Sequence, residues 1–153
     1  MCPRPAAGYS GRMSSIFTRI IAGELPAHFV WKDEHCVAFL SINPIRAGHL
    51  LVVPREEVDH WIDLPPTLLA HLTTVARTLA VALQTAFAPE KVGLMIAGLE
   101  VRHVHLHVLP IDTLGDLNFA NADPQPAPQA LQAAADRVRS ALRASGARQV
   151  AGG

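Results

Sequence analysis

The chain has 153 residues and a mass of 16.4 kDa, with half its residues hydrophobic and 17% charged. That is one domain's length, enough to bury a core without disulfide or metal staples, and the composition excludes a disordered chain. Thirteen basic and thirteen acidic residues cancel, which argues against a nucleic-acid partner, and no apolar run approaches the ~18–20 residues that span a bilayer.

Residues 1–12 (MCPRPAAGYSGR) hold two prolines and two glycines but no apolar stretch of signal-peptide type. Residues 1–13 are expected to form a disordered tail, and the default location is the cytoplasm. Cys2 and Cys36 belong to no Cys-x-x-Cys pair, so neither a disulfide framework nor a cysteine metal site is expected. Ser14 or Ser15 caps a predicted short helix through Ile21, which Gly23 ends. FVWK (29–32) and CVAFL (36–40) read as a hairpin turned by Asp33 and Glu34. Asn43-Pro44 opens a loop, and HLLVV (49–53) is a third strand stopped by Pro54.

Pro65-Pro66-Thr67 starts the longest predicted helix. Leu68, Leu72, Val75, Leu79, Leu83 and Phe87 form its apolar stripe, and Pro89 closes it. KVGLMIA (91–97) and RHVHLHVL (102–109) are the fourth and fifth predicted strands, the latter stopped by Pro110. Residues 112–122 show no period. A proline-rich linker leads to a last helix from about Pro128 to Ser145, with Leu131, Ala134, Ala135, Val138 and Leu142 as its docking stripe. Hairpins mixed with helices indicate an α+β fold with a mostly antiparallel sheet.

His103, His105 and His107 alternate with Val104, Leu106 and Val108. On a strand, the histidines would share one face and the apolar residues the other. Three readings compete: a polar strand face, a metal site, and a nucleophilic imidazole with helpers. The outer two rings would stand ~13 Å apart along a strand, while zinc–nitrogen bonds are ~2.0–2.1 Å, so a shared metal would need ligands from elsewhere. A row of imidazoles suits phosphoryl or nucleotidyl transfer, in which one ring attacks and its neighbours hold phosphate oxygens. His28, His35, His60 and His71 read as solvated side chains.

HVHLHV resembles the His-x-His-x-His motif of the histidine triad (HIT) family. SIFTRIIAGELPA, FVWKDEHCVAFLSINP and GHLLVVP are similar to that family's first helix, first hairpin and third strand, over about residues 14–112. The remainder looks closer to a bacterial subgroup with a GLEVxHxHxH segment and a C-terminal helix. The resemblance implies a HIT-like fold of about five antiparallel strands with two main helices plus a C-terminal one. It implies a HIT-like domain over 14–122, a linker and helix over 123–146 and a tail over 147–153. It implies a homodimer whose sheets join and whose long helices meet, and a nucleotide-type small-molecule partner. The implied activity is hydrolysis or transfer at a nucleotide α-phosphate, for instance of a phosphoramidate, without a cofactor. His105 would be the nucleophile. His103 and His107 would hold phosphate oxygens or aid departure, and His49 would orient a ring.

Phe17, Ile20, Phe39, Leu40 and Ile42 match the family's base-holding apolar patch, although alternation lets only part of that set face a ligand. Ser41 stands where many members bond ribose through a carboxylate, and Asn43 is a substitute. Glu100, followed by Val101, stands where members carry Ser or Thr before the triad. Glu100 would repel phosphate, act as a buried acid, or pair with Arg102 or a histidine. The family's zinc positions correspond to Ser15, Thr18, Glu57 and His103. Hydroxyls are poor zinc ligands, so no structural zinc is expected. The alternatives to a hydrolase are a nucleotide-binding or regulatory module with little turnover and a metal-dependent protein using His49.

Overall fold

The structure, a computed structural model, describes residues 14–152; the tail expected over 1–13 lies outside them. The elements are α1 (Ile16–Ile21), β1 (Phe29–Lys32), β2 (Cys36–Leu40), β3 (Leu50–Pro54), α2 (Pro66–Phe87), β4 (Lys91–Ile96), β5 (Leu106–Ile111) and α3 (Pro128–Ala144), with short 3-10 turns between. The strands form one antiparallel sheet in the order β1-β2-β3-β5-β4. The α+β architecture is the one expected.

Local chemistry explains most boundaries. The Ser15 hydroxyl accepts from the Thr18 N–H and starts α1. Asp33 Oδ1 accepts from the N–H groups of His35 and Cys36 and turns the hairpin. Ala88, at φ 47°, ends α2 ahead of Pro89. The β2–β3 loop depends on Gly48: at φ +88° a side chain is strained, and a Cβ would lie 2.7 Å from the Phe87 ring.

Every residue of β2 and β3 is buried, on alternating faces. Ala38, Leu40, Leu50, Val52, Leu106 and Val108 meet α2 and α3 in the main core. Val37, Phe39, Leu51 and Val53 join Phe17 and Ile20 of α1 on the other face. By length and composition alone α2 could cross a membrane. Its Leu72, Val75, Leu79 and Leu83 are instead buried in the main core, which accounts for its hydropathy.

Two expectations are corrected. The fifth strand begins at Leu106, not Arg102, and runs through Pro110 to Ile111. β3 pairs with it only as far as Val108, so Pro110 has a strand neighbour on one side only, where a missing N–H is tolerated. Residues 147–151 do not form a free tail. The Lys32 N–H donates to the Gln149 carbonyl and the Ala151 N–H to the Val30 carbonyl, extending the sheet beyond β1. Arg139 of α3 is buried and donates to the carbonyls of Phe29 and Ala151. A buried guanidinium thus satisfies backbone oxygens that would otherwise be stranded.

Candidate active site

The site lies on the sheet face that α1 only partly covers. His107 is on β5, between Leu51 of β3 and Met95 of β4. His105 immediately precedes the strand. His49 ends the β2–β3 loop, which the Ser41 N–H closes by donating to the His49 carbonyl. The ring centroids of His105 and His107 are 4.8 Å apart, and those of His49 and His107 are 5.1 Å apart.

Hydrogen-bond partners assign the tautomers. The Ile45 N–H donates to His49 Nδ1, so the proton of His49 is on Nε2 and is donated to His107 Nδ1 at 2.9 Å. His107 therefore carries its own proton on Nε2. His105 Nδ1 donates to the carbonyl of His103 at 2.7 Å, which leaves the Nε2 lone pair of His105 free. A nucleophilic nitrogen and an N–H donor thus stand side by side. Burial lowers the pKa of all three rings: His49 to about 4 and His107 to about 3, with charge on neighbouring histidines adding to the effect. For His105, burial is opposed by the His103 carbonyl and by Glu100, and its pKa still falls below the ordinary value. The rings are neutral at pH 7, as a nucleophile requires.

A cleft of about 530 Å³ opens at His105 and His107, within the usual range for small-molecule sites. Of the residues singled out in the sequence, Phe17, Ile20, Phe39, Leu40, Ser41, Ile42, Asn43, His49, Glu100, Val101, His105 and His107 all line it. Leu40 is shared with the main core, while Ile42 is 64% exposed. Ser41 Oγ accepts from the Asn43 N–H, and Asn43 Nδ2 donates to the carbonyls of Asp123 and Pro124. The Asn43 side chain ties the segment after β5 to the cleft.

His103 departs from expectation. It is fully buried and does not line the cleft. Its Nε2 donates to the Pro54 carbonyl at 2.8 Å, so Nδ1 accepts from the Ser15 hydroxyl at 2.6 Å. Neither nitrogen is free for a phosphate oxygen; His103 serves instead through its backbone carbonyl, which fixes His105. The cause is the late start of β5: the alternation read from the sequence fails one residue before Leu106.

Ser15, Thr18, Glu57 and His103 do converge. The Ser15 N–H and the Thr18 hydroxyl both donate to Glu57 Oε1. The Ser15 N–H, ahead of the Thr18 hydroxyl, holds the Glu57 carboxyl below its usual pKa. This set does not fit zinc, because two of its four members are neutral hydroxyls and its one imidazole is bonded on both nitrogens. A second cluster, absent from the sequence reading, joins Asp33, Cys36 and His71. His71 is not simply solvated: its Nε2 bonds Asp33 Oδ2 at 2.8 Å, and Trp31 Nε1 and the Cys36 thiol donate to the same oxygen.

Phe119 was also missed. Its ring packs edge-on against His107 at 4.9 Å, and Ala122 and Pro124 continue the same wall. The aperiodic 112–122 stretch gave no signal, since a three-residue 3-10 turn has no repeat to read and Phe119 stays 42% exposed. Glu100 is exposed, which removes the buried-acid reading, and Arg102 lies 3.9 Å from Asp59 rather than paired with Glu100.

The family model for the HIT domain matches residues 22–114. The chain belongs to the HIT family. It is 39% identical over 99 residues to an uncharacterized HIT-like protein of Methanocaldococcus jannaschii, covering 62% of this chain and 77% of that protein. An adenylylsulfatase of Arabidopsis thaliana is 27% identical over 100 residues, which are 62% of this chain and 51% of that enzyme. Among solved structures, a zinc-bound histidine triad family protein from Mycobacterium smegmatis superposes with a TM-score of 0.74 at 27% identity, covering 89% of this chain and 98% of that one. HIT proteins thus include nucleotide hydrolases.

Proposed function

We propose that the protein is a nucleotide hydrolase or transferase acting at the α-phosphate of a nucleoside phosphoramidate or related nucleotide, through a nucleotidyl-histidine at His105. The observation that carries this reading is the free Nε2 lone pair of His105 beside the Nε2–H of His107, both in a cleft with an apolar end. His105 Nε2 forms a bond to phosphorus as the phosphorus–nitrogen bond of the substrate breaks. The amine leaves with the bonding pair and takes a proton from water at the open mouth. The His103 carbonyl, accepting from His105 Nδ1–H, stabilises the cationic nucleotidyl-imidazolium. His107 Nε2–H, oriented by His49, donates to a phosphate oxygen. Water then attacks phosphorus, releasing the nucleoside monophosphate and free His105.

Phe17, Ile20, Phe39 and Ile42 form the wall on which a base rests, and Ser41 and Asn43 face the sugar. The proposed reaction uses no metal. Intact mass after rapid quench, with phosphoramidates, phosphosulfates and dinucleoside polyphosphates as substrates, tests the reading. A transient nucleotidyl adduct is expected in the wild type and not in His105→Ala. Binding without an adduct or product would instead favour a regulatory module.

The homodimer belongs to the same proposal. β4 is an edge strand with Leu94 53% exposed, and Val81 of α2 is 50% exposed. A second copy would cover this apolar border. Leu94→Arg is expected to shift the mass measured by light scattering from dimer to monomer.

A further inference from the structure

We propose that the cleft has a separate leaving-group pocket that selects by charge, with Glu100 as the selecting residue: it accepts leaving groups bearing a positive charge and disfavours anionic ones. This rests on the nucleotidyl-histidine reading above. A side lobe of about 130 Å³ is walled by the turn Ala97–Glu100, by Phe119 and by His105 and His107. It meets the larger lobe at Glu100, Phe119 and the same two histidines. The larger lobe has the apolar surface suited to a nucleoside. The smaller one lies beside the attacking nitrogen and is left for the group that departs.

The charges in and around this lobe point one way. Among the described residues, Glu100 is the only formally charged side chain lining either lobe. It has no hydrogen-bond or ion-pair partner among them, so no structural duty accounts for it. Its charge is felt by His105. Among the described residues no Lys or Arg lines either lobe, and Arg102, two residues on, lies 3.9 Å from Asp59 rather than paired with Glu100. The histidines are neutral before attack, so no formal positive charge in the lobe receives an incoming sulfate or polyphosphate. An ammonium on the leaving amine would sit against Glu100. Because Glu100 is solvent-exposed, screening limits the effect to roughly two- to fivefold per charge.

The test uses three adenosine 5′-phosphoramidates of matched length, made from 1,4-diaminobutane, 1-aminobutane and 4-aminobutanoate. Wild type is expected to show kcat/KM falling in that order, by about fourfold or more from cationic to anionic. Glu100→Gln should narrow that ratio to about twofold, Glu100→Lys should reverse it, and raising the salt should shrink it in the wild type. An equal kcat/KM for all three, or the same order kept in Glu100→Gln, overturns the charge selection while leaving the nucleotidyl-histidine reading intact. Failure of wild type to cleave any of the three, with no His105 adduct, overturns both.

Discussion

The two faces of the sheet are built from the same strands and have opposite characters. One is covered by the 22-residue α2 and the 17-residue α3 and is closed with Leu, Val and Ala. The other is covered by the six-residue α1, which at ~1.5 Å per residue spans only ~9 Å. The uncovered remainder is the cleft, and the histidines stand on it. Stability is concentrated on one face, and the short helix on the other leaves room for polar rings that a full cover would have displaced.

Neighbouring residues on opposite faces test this contrast most directly. His105→Ala is expected to remove the adduct and lower turnover by roughly 10⁴-fold or more, with little change in the urea midpoint. Leu106→Ala, one residue on and in the main core, is expected to cost about 2–5 kcal/mol in urea unfolding while the folded fraction still forms the adduct. If both variants lost activity and stability together, the division between the faces would fail.

Acid should weaken the cleft face before the core. His49 and His107 have folded pKa values of about 4 and 3, below the ordinary 6.5. Between those values the unfolded chain binds more protons, so stability is full above about pH 6.5 and is lost as pH falls through it. Each ring is expected to cost on the order of 2 kcal/mol between pH 7 and pH 5. Calorimetry over that range should show Tm falling, and His107→Gln should flatten the slope. The acid limb of the activity profile should lie below the 6.5 of an ordinary imidazole, because burial lowers the His105 pKa. The smallest effect is expected at the junction of α1 and the histidines. Ser15→Ala removes a helix cap and the donor to His103 Nδ1, which should cost roughly 1 kcal/mol and lower kcat a few-fold with KM little changed.

The alternation of residues 103–108 made His107 legible, because it lies on a strand with one apolar face. Phe39 to Asn43 and His49, on and between β2 and β3, were marked by the family resemblance rather than by any local pattern. His103 was misread because alternation was extended over a bend held by the Val104 N–H donating to the Val58 carbonyl. That bond joins residues 46 apart, and no local pattern announces it. Phe119 and the Asn43 anchor to Asp123 and Pro124 were missed for the same reason: each matters through a partner distant in sequence.

The amino-acid sequence by itself determined the succession of strands and helices and the apolar stripes, because these depend on period, caps and residue chemistry within a few positions. The tertiary structure decided which histidine is free. The Ile45 N–H, the His103 carbonyl, the Pro54 carbonyl and the Ser15 hydroxyl each occupy one ring nitrogen, and only His105 keeps an unprotonated nitrogen facing the cleft. A tautomer is set by whichever group stands opposite the ring, and that is fixed only once the chain has folded.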